Sequence, residues 1–267
     1  MKIASFNARR FGIKKCSDCK VFPIIAKIVA RYEIIVLLEV FDAKEKAAKK
    51  LVEQLNSTCE KGASYEYIIS RPLGRNDYKE QYLFIYRADL VSVKEQYQYP
   101  DMQQGDEDSF AREPFIIRFE SKKTAVRDFV LIPVHTTPKD SVQEIDELYD
   151  VYLDVKDKWK TQNIMFLGDF NADGAYVSKK KMNTIRLRTD KSFHWLITDD
   201  KDTTATTTDC SYDRIVVHDD LFQYIVPDSA KPFNFQKEYE LTDEEALAIS
   251  DHYPVEVELK GKPTKKK

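Results

Sequence analysis

The chain has 267 residues, 42% hydrophobic and 12% aromatic, which is enough for a sizeable core and excludes a disordered chain. Seven glycines and ten prolines exclude a collagen-like or linker-rich polymer. Lysine plus arginine (42) against aspartate plus glutamate (45) leaves a net charge of −3, so any nucleic-acid binding must rest on a local cationic patch or on metal ions.

Residues 3–6 read as a short strand. Residues 18–30 read as a helix with Val21, Ile24, Ile25, Ile28 and Val29 on one face and Pro23 tolerated in its first turns. The apolar run 34–38 reads as a strand buried on both faces. Asp42 with Glu45 suggests a capping box ahead of a helix carrying Ala48, Leu51, Val52 and Leu55. Segments 65–70, 82–86, 90–97 and 115–119 read as closely spaced antiparallel strands, and 130–134 as another buried strand. Residues 141–159 form a long amphipathic helix, with Ile145, Leu148, Tyr149, Tyr152, Val155 and Trp159 inward. Strands follow at 164–167 and 215–217. Thr242 and Glu245 make a capping box, and 255–259 alternates as a last strand. The lysine-rich stretch 261–267 is expected to be a disordered tail on a single domain spanning 1–260. No apolar run is long enough to cross a bilayer.

Four cysteines are too few for a disulfide framework, and Cys16 and Cys19 have no second pair to complete a zinc site, so they read as ordinary thiols. No apolar leader with a cleavage site opens the chain, and a cytoplasmic or nuclear protein is expected, with a processed secreted form as the alternative.

The informative pattern lies at the strand ends. Asn7, Glu39, His135, Asp169 and Asn171 follow apolar strands directly. Glu80, Asp213, Asp251 and His252 come just before others. If the second set of strands runs antiparallel to the first, all nine groups share one rim, where α/β sheets bind ligands. Carboxylates and amide oxygens are hard donors suited to Mg²⁺, Mn²⁺ or Ca²⁺. Two histidines beside carboxylates can handle protons, and together with a metal they meet the needs of phosphodiester hydrolysis. Each group alone is more often a turn, cap or solvated residue; His194 and His218 keep that structural reading.

Several segments occur in order: Lys2-Ile3-Ala4-Ser5-Phe6-Asn7, Leu38-Glu39-Val40, Leu73-Gly74-Arg75-Asn76-Asp77-Tyr78-Lys79-Glu80, Ala111-Arg112-Glu113-Pro114, Gly168-Asp169-Phe170-Asn171-Ala172-Asp173, Tyr212-Asp213-Arg214 and Ser250-Asp251-His252-Tyr253-Pro254. With these the chain resembles the deoxyribonuclease I family, within the endonuclease/exonuclease/phosphatase superfamily, over nearly its whole length. The resemblance implies a four-layer α/β sandwich of two packed, mostly antiparallel sheets flanked by helices. It implies a monomeric endonuclease that cuts double-stranded DNA with low sequence specificity, leaving 5′-phosphate and 3′-hydroxyl ends. In that reading His252 with Asp213 positions or activates water, and His135 with Glu80 protonates the leaving oxygen. Glu39 is then the principal Mg²⁺ ligand, with Asp251, Asp169, Asn7 and Asn171 around metal and phosphate. Arg9, Arg75, Asn76, Tyr78, Arg112 and Tyr212 match DNA-contacting positions, with readout driven by shape. Two Ca²⁺ sites are implied: Asp202, Thr204, Thr206 and Thr208, expected on one side of an extended loop, and Asp101, Asp108, Phe110 (through its carbonyl) and Glu113.

Departures from the family pattern are informative. Relatives typically carry a cysteine where this chain has Gly174, bridged to the position of Cys210; losing that link suits a reducing compartment. Phe41 stands where relatives often have an arginine near DNA, and the sequon Asn56-Ser57-Thr58 has meaning only in a secretory protein. Two competing readings share the motifs: a phosphoesterase acting on inositol phosphates or lipid headgroups, and a non-catalytic DNA-binding relative.

Overall fold

The computed structural model describes residues 1–102 and 108–263. In chain order the elements are β1 (Lys2–Phe11), α1 (Ile13–Cys16), α2 (Val21–Val29), β2 (Ile34–Val40), α3 (Lys46–Thr58), β3 (Tyr65–Ile69), β4 (Gln81–Arg87), β5 (Val91–Gln98), β6 (Phe115–Ser121), β7 (Asp128–His135), α4 (Ser141–Trp159), β8 (Ile164–Asp169), α5 (Lys179–Met182), α6 (Arg186–Thr189), β9 (Phe193–Trp195), β10 (Asp213–His218), α7 (Asp219–Phe222), β11 (Lys231–Pro232), α8 (Phe235–Glu238), α9 (Asp243–Ile249) and β12 (Val255–Glu258).

The strands form two six-stranded sheets, ordered β11-β12-β1-β2-β4-β3 and β5-β6-β7-β8-β10-β9. Among the described residues, β1/β2 and β7/β8 pair in parallel and the other neighbouring strands antiparallel. Strand alternation builds the layers. In β2, Ile34, Val36 and Leu38 enter the core between the sheets, where they meet Phe119, Leu131, Leu167 and Ile215. Ile35, Leu37 and Val40 face the other way, toward α2 and α3. In β7, Val130, Ile132 and Val134 pack under α4 with Ile145, Leu148 and Val155. The result is helix, sheet, sheet, helix, the expected sandwich.

Three expectations shift. Segments 82–86 and 90–97 do not pair with each other: β4 and β5 lie in different sheets. The Asp42–Glu45 capping box does not form. Glu45, in a left-handed conformation, precedes α3 without a side-chain cap, and Asp42 Oδ2 accepts instead from the N–H of Ala48 (2.8 Å). The box at Thr242 and Glu245 is present. The chain also stays on the fold past residue 260. Gly261 bridges Thr124, and the N–H of Lys262 donates to the Lys123 carbonyl (2.8 Å). The expected tail residues 264–267 lie outside the described residues.

Strand direction brings the site together. The carboxyl ends of β1, β2, β7 and β8 share one rim with the amino ends of β4, β10 and β12, because the latter run antiparallel to their neighbours. Gly168 lets β7 and β8 meet there. Its φ is +151°, and a Cβ on it would stand 1.9 Å from the Val134 carbonyl oxygen.

Candidate active site

Two local irregularities aim the first pair of side chains. The β1/β2 register shifts between Asn7 and Phe11, with Arg9 and Arg10 at φ 39° and 55°. The β2/β4 register shifts between Leu37 and Val40, with Glu39 at φ 54°. Such bulges at a sheet end redirect side chains. Here they turn Asn7 and Glu39 toward each other: Asn7 Nδ2 donates to Glu39 Oε1 (3.2 Å) and Asp169 Oδ2 (3.1 Å), and the N–H of Arg10 donates to Glu39 Oε2 (3.1 Å).

The ends of β7, β8 and β10 sit side by side, with His135 opposite Asp169 and Asp213 opposite Asp169 in register. His135 Nδ1 meets Glu80 Oε2 at 2.7 Å, and His252 Nδ1 meets Asp213 Oδ2 at 2.6 Å. The other ring nitrogen of each histidine faces the same atom: Asp169 Oδ2 is 3.8 Å from His135 Nε2 and 3.6 Å from His252 Nε2. One buried carboxylate thus stands between two imidazoles, each backed by a buried acid. Asn171 closes the group, its N–H on Asp169 Oδ1 (3.0 Å) and its amide on the Thr136 carbonyl (3.1 Å). Asp251 is half-exposed at the edge, 3.9 Å from Arg9 Nε.

Charge sets the protonation states. Burial pushes the Asp213 carboxyl up to about 6, and the charge of Asp169 adds to it against the pull of His252. Burial also opposes a charged His252, but Asp213 and then Asp169 outweigh it and raise the ring to about 10. Asp169 is buried as well, yet His252, His135, the Asn171 N–H and the Asn7 amide hold it below the usual carboxylate range. Glu80 is likewise lowered: burial opposes ionisation, and His135 and Arg112 outweigh it.

The oxygens of the rim suit a hard divalent cation: the carboxylates of Glu39, Asp169 and Asp251 and the amides of Asn7 and Asn171 gather there. Asp169, Asp213 and His252 each offer a ligand atom within 4.8 Å of the others, and Asp213 Oδ1 is buried without a hydrogen-bond partner among the described residues. Glu39 is outside that trio and joins it through the shared Asn7 amide.

The expected DNA-contacting residues divide. Arg9, Asn76 and Tyr78 are exposed beside the rim. Tyr212 is half-buried, its ring 6.3 Å from that of His252. Arg112 turns inward, with Nη1 3.5 Å from Glu80 Oε1 and Nε donating to the His135 carbonyl (3.0 Å). Arg75 is tied to the protein: it binds the carbonyls of Asp108 and Ser109 and lies 3.9 Å from Asp140 Oδ2.

The two expected Ca²⁺ loops differ. Residues 205–207 bend rather than extend, so Asp202, Thr204, Thr206 and Thr208 do not line one side of a strand. Asp202 Oδ1 instead accepts from the N–H and hydroxyl of Thr204 (both 2.9 Å), the Thr204 hydroxyl bonds the carbonyl of Thr208, and Thr206 Oγ1 accepts from the Thr208 N–H (3.1 Å). At the other loop, Asp101 Oδ2 accepts from the Phe110 N–H (2.8 Å), and Asp101 Oδ1 is buried with no partner among the described residues. Burial, with the charges of Glu113 and Asp108, raises the Asp101 carboxyl. A cation would relieve that crowding.

Three positioning residues escaped the sequence reading. Lys15 Nζ donates to the carbonyls of Ala8 (2.8 Å), Arg9 (2.6 Å) and Ile249 (2.6 Å), tying the β1 bulge to the end of α9. Burial, then the charge of Arg9, lowers that amine to about 8. Thr203 Oγ1 accepts from the N–H groups of Tyr212 and Asp213 (3.0 and 3.1 Å). Arg214, fully buried, holds the carbonyls of Ser211, Ile197 and Ala172. A lysine in Lys14-Lys15 or a threonine in a polar loop carries no local signal. The Tyr-Asp-Arg motif did contain Arg214.

Known proteins share both sequence and fold. The chain is 52% identical over 263 residues to "Deoxyribonuclease gamma" from Homo sapiens, covering 98% of this chain and 86% of that one. It is also 52% identical over 262 residues to "Deoxyribonuclease-1" from Oryctolagus cuniculus, covering 97% and 92%. Among solved structures, the human Nocturnin catalytic domain aligns at TM-score 0.66 with 14% identity, covering 98% and 94%. An endonuclease/exonuclease/phosphatase family protein from Bacteroides thetaiotaomicron aligns at 0.63 with 20% identity, covering 99% and 98%. The profile of the Endonuclease/Exonuclease/phosphatase family matches residues 4–252. With half of its residues shared with deoxyribonucleases and that profile spanning its strands from β1 to the His252 loop, the chain belongs to the endonuclease/exonuclease/phosphatase family, in its deoxyribonuclease branch.

Proposed function

We propose that the protein is a divalent-cation-dependent endonuclease that hydrolyses double-stranded DNA with low sequence specificity. The observation that carries the reading is the pair of imidazoles facing one buried carboxylate, each with its own acid behind it. The names of its half-identical relatives supply the substrate. The monomer is taken as the active unit, since both histidine–acid pairs are complete within one copy and call for no residue of a second.

Asp169, Glu39, Asn7, Asn171 and Asp251 offer the oxygens for Mg²⁺ or Mn²⁺. Such a cation, when bound, neutralises the phosphate and stabilises charge at phosphorus. The chain's own residues handle the protons. Glu80 and Asp213 fix the tautomer and aim of the rings, leaving both Nε2 atoms toward the reacting phosphate. One ring takes a proton from water as the O–P bond forms; the other gives a proton to O3′ as the P–O3′ bond breaks. This leaves a 5′-phosphate and a 3′-hydroxyl. The family pattern puts His252 on the water and His135 on O3′. His252 would then have to release the proton that Asp213 and Asp169 hold on its ring. Arg112, beside Glu80, and Arg9, at the edge, are proposed to meet phosphate oxygens. Asp101 and Asp202 are proposed as anchors of two structural Ca²⁺ sites. Four free thiols, Cys210 among them, support a reducing compartment such as cytoplasm or nucleus.

A plasmid-nicking assay run beside hydrolysis of inositol phosphates tests the reading. Nicking that needs Mg²⁺, with no release of phosphate from the small esters, is the expected result. The reverse preference would overturn it.

A further inference from the structure

A cleft of about 480 Å³ opens next to the catalytic rim, lined by Arg10, Gly12, Ile13, Lys14, Phe41 and Tyr78. Its lining lies beside the candidate site along the chain. The N–H of Arg10 binds Glu39, Phe41 lies two residues past Glu39, and Tyr78 two before Glu80. Yet its surface is apolar. Ile13 is 47% and Tyr78 45% exposed, and the Phe41 ring meets Tyr78 edge to face with centroids 4.9 Å apart.

The backbone holds this surface in place. The N–H of Phe41 donates to the Phe11 carbonyl (2.7 Å), and the N–H of Tyr78 to Asn76 Oδ1 (2.9 Å). Gly12 lies close against the Phe41 backbone; a Cβ there would stand 2.8 Å from the Phe41 carbonyl oxygen. Arg10 and Lys14 add two cations to the lining, Arg10 hydrogen-bonded to Tyr78.

A rigid apolar floor with cations at its margin complements a nucleotide: a flat base on the floor, a phosphate at the edge. In an intact duplex the base faces are stacked on one another and cannot enter. A base can occupy the cleft only when it has left its stack. Resting on the nuclease reading, we infer that the Ile13–Phe41–Tyr78 cleft is a subsite for an unstacked nucleobase flanking the scissile phosphate, favouring single-stranded or frayed DNA. Stacking of one base on an aromatic floor is worth roughly fivefold to a hundredfold in affinity.

The test compares kcat/KM of the full chain with Mg²⁺ on a single-stranded oligonucleotide and on the duplex of the same sequence. The variants are Phe41→Ala and the double change Ile13→Ala with Phe41→Ala. Neither side chain is buried in the core, and thermal melting checks that both variants fold. The expected result is a loss of about tenfold on the single strand for the double variant, carried by KM, with the duplex changed less than twofold. Equal losses on both substrates overturn the inference, because the cleft then grips the outside of the duplex. Unchanged rates on both also overturn it. A wild-type chain that cleaves neither DNA strikes the nuclease reading itself, a result distinct from either of these.

Discussion

Histidine–carboxylate pairs occur at both ends of this sandwich, and only one end can do chemistry with them. At the catalytic rim, His135 and His252 use Nδ1 to hold buried acids and keep Nε2 toward Asp169. At the opposite end, His194 Nε2 meets the exposed Asp219 at 2.5 Å, and its ring lies flat on Phe222 with centroids 3.9 Å apart. His218 uses both nitrogens structurally: Nδ1 accepts from the Asp220 N–H at the start of α7 (3.2 Å), and Nε2 sits 3.4 Å from the Tyr152 hydroxyl. Burial lowers the His218 ring below its ordinary value, so it caps as a neutral acceptor. The pair itself is therefore not the functional signal. What matters is where the second nitrogen points.

Replacing each histidine in turn is the strongest way to break this contrast. His135→Ala and His252→Ala are each expected to lower DNA cleavage by about 10²–10⁴-fold, the range for a lost acid or base, with circular dichroism unchanged. His194→Ala and His218→Ala are expected to keep cleavage within about twofold of wild type. His218→Ala should instead lower stability by about 0.5–2 kcal/mol through the lost cap. A strong loss of activity in either far-end variant would erase the distinction.

Salt sharpens the same contrast. Cations near the catalytic rim should displace counterions from DNA, so affinity falls with a log–log slope of about −0.9 per phosphate contacted. Arg9→Ala is expected to make that slope shallower by about one unit in a binding titration with Ca²⁺ replacing Mg²⁺. Lys231→Ala, at the far end, should leave it unchanged. Equal slopes for Arg9→Ala and wild type would remove Arg9 from the interface.

Much of this contrast is legible in the amino-acid sequence. Residues 34–38 and 130–134 could only be buried strands, and the polar groups at strand ends fell where loops meet. That the beginnings of β4, β10 and β12 share the rim followed once they ran antiparallel. The bulges at Arg9, Arg10 and Glu39 were not legible, because non-glycine left-handed residues leave no compositional trace. Nor was the crossing from β4 to β5 between sheets, since a short connection serves a hairpin equally well. Lys15 was hidden for a further reason: its value comes from a carbonyl 234 positions away, which no local pattern encodes.

The two rims are joined by the excursion from Gly174 to Cys210, which carries α5, α6 and β9 and begins and ends beside the catalytic side. A Cβ on Gly174 would lie 3.4 Å from Cys210 Sγ. Gly174→Cys should therefore come within reach of a disulfide with Cys210 under oxidising conditions. The crosslink adds about 2–4 kcal/mol from the closed loop, while a side chain at φ +59° costs roughly 1–2 kcal/mol in the oxidised and reduced forms alike. Urea unfolding with and without reductant reads the difference. Equal midpoints, with the bond confirmed by mass, would show that the excursion is already as constrained in the unfolded chain.

The last contrast lies within the catalytic rim, between three acids that face an imidazole and Glu144, which faces none. Glu80, Asp169 and Asp213 each face a ring, whereas buried Glu144 has its Oε1 on the N–H of Thr137 (2.9 Å). Burial pushes its carboxyl up to about 7 from the ordinary 4.5; the Thr137 N–H and the charges of Arg112 and His135 only partly oppose this. A raised folded value means that the folded chain binds the proton more tightly than the unfolded one. Stability from neutral Glu144 is then full below about 4.5 and lost as pH climbs through about 7. Glu144→Gln keeps the acceptor for Thr137 and removes the titration. Thermal melts should coincide with wild type near pH 4.5, and the variant should be more stable at pH 8, by on the order of 1–3 kcal/mol. A variant that is less stable at pH 8 would mean that Glu144 is ionised and held by charge, as its imidazole-backed neighbours are.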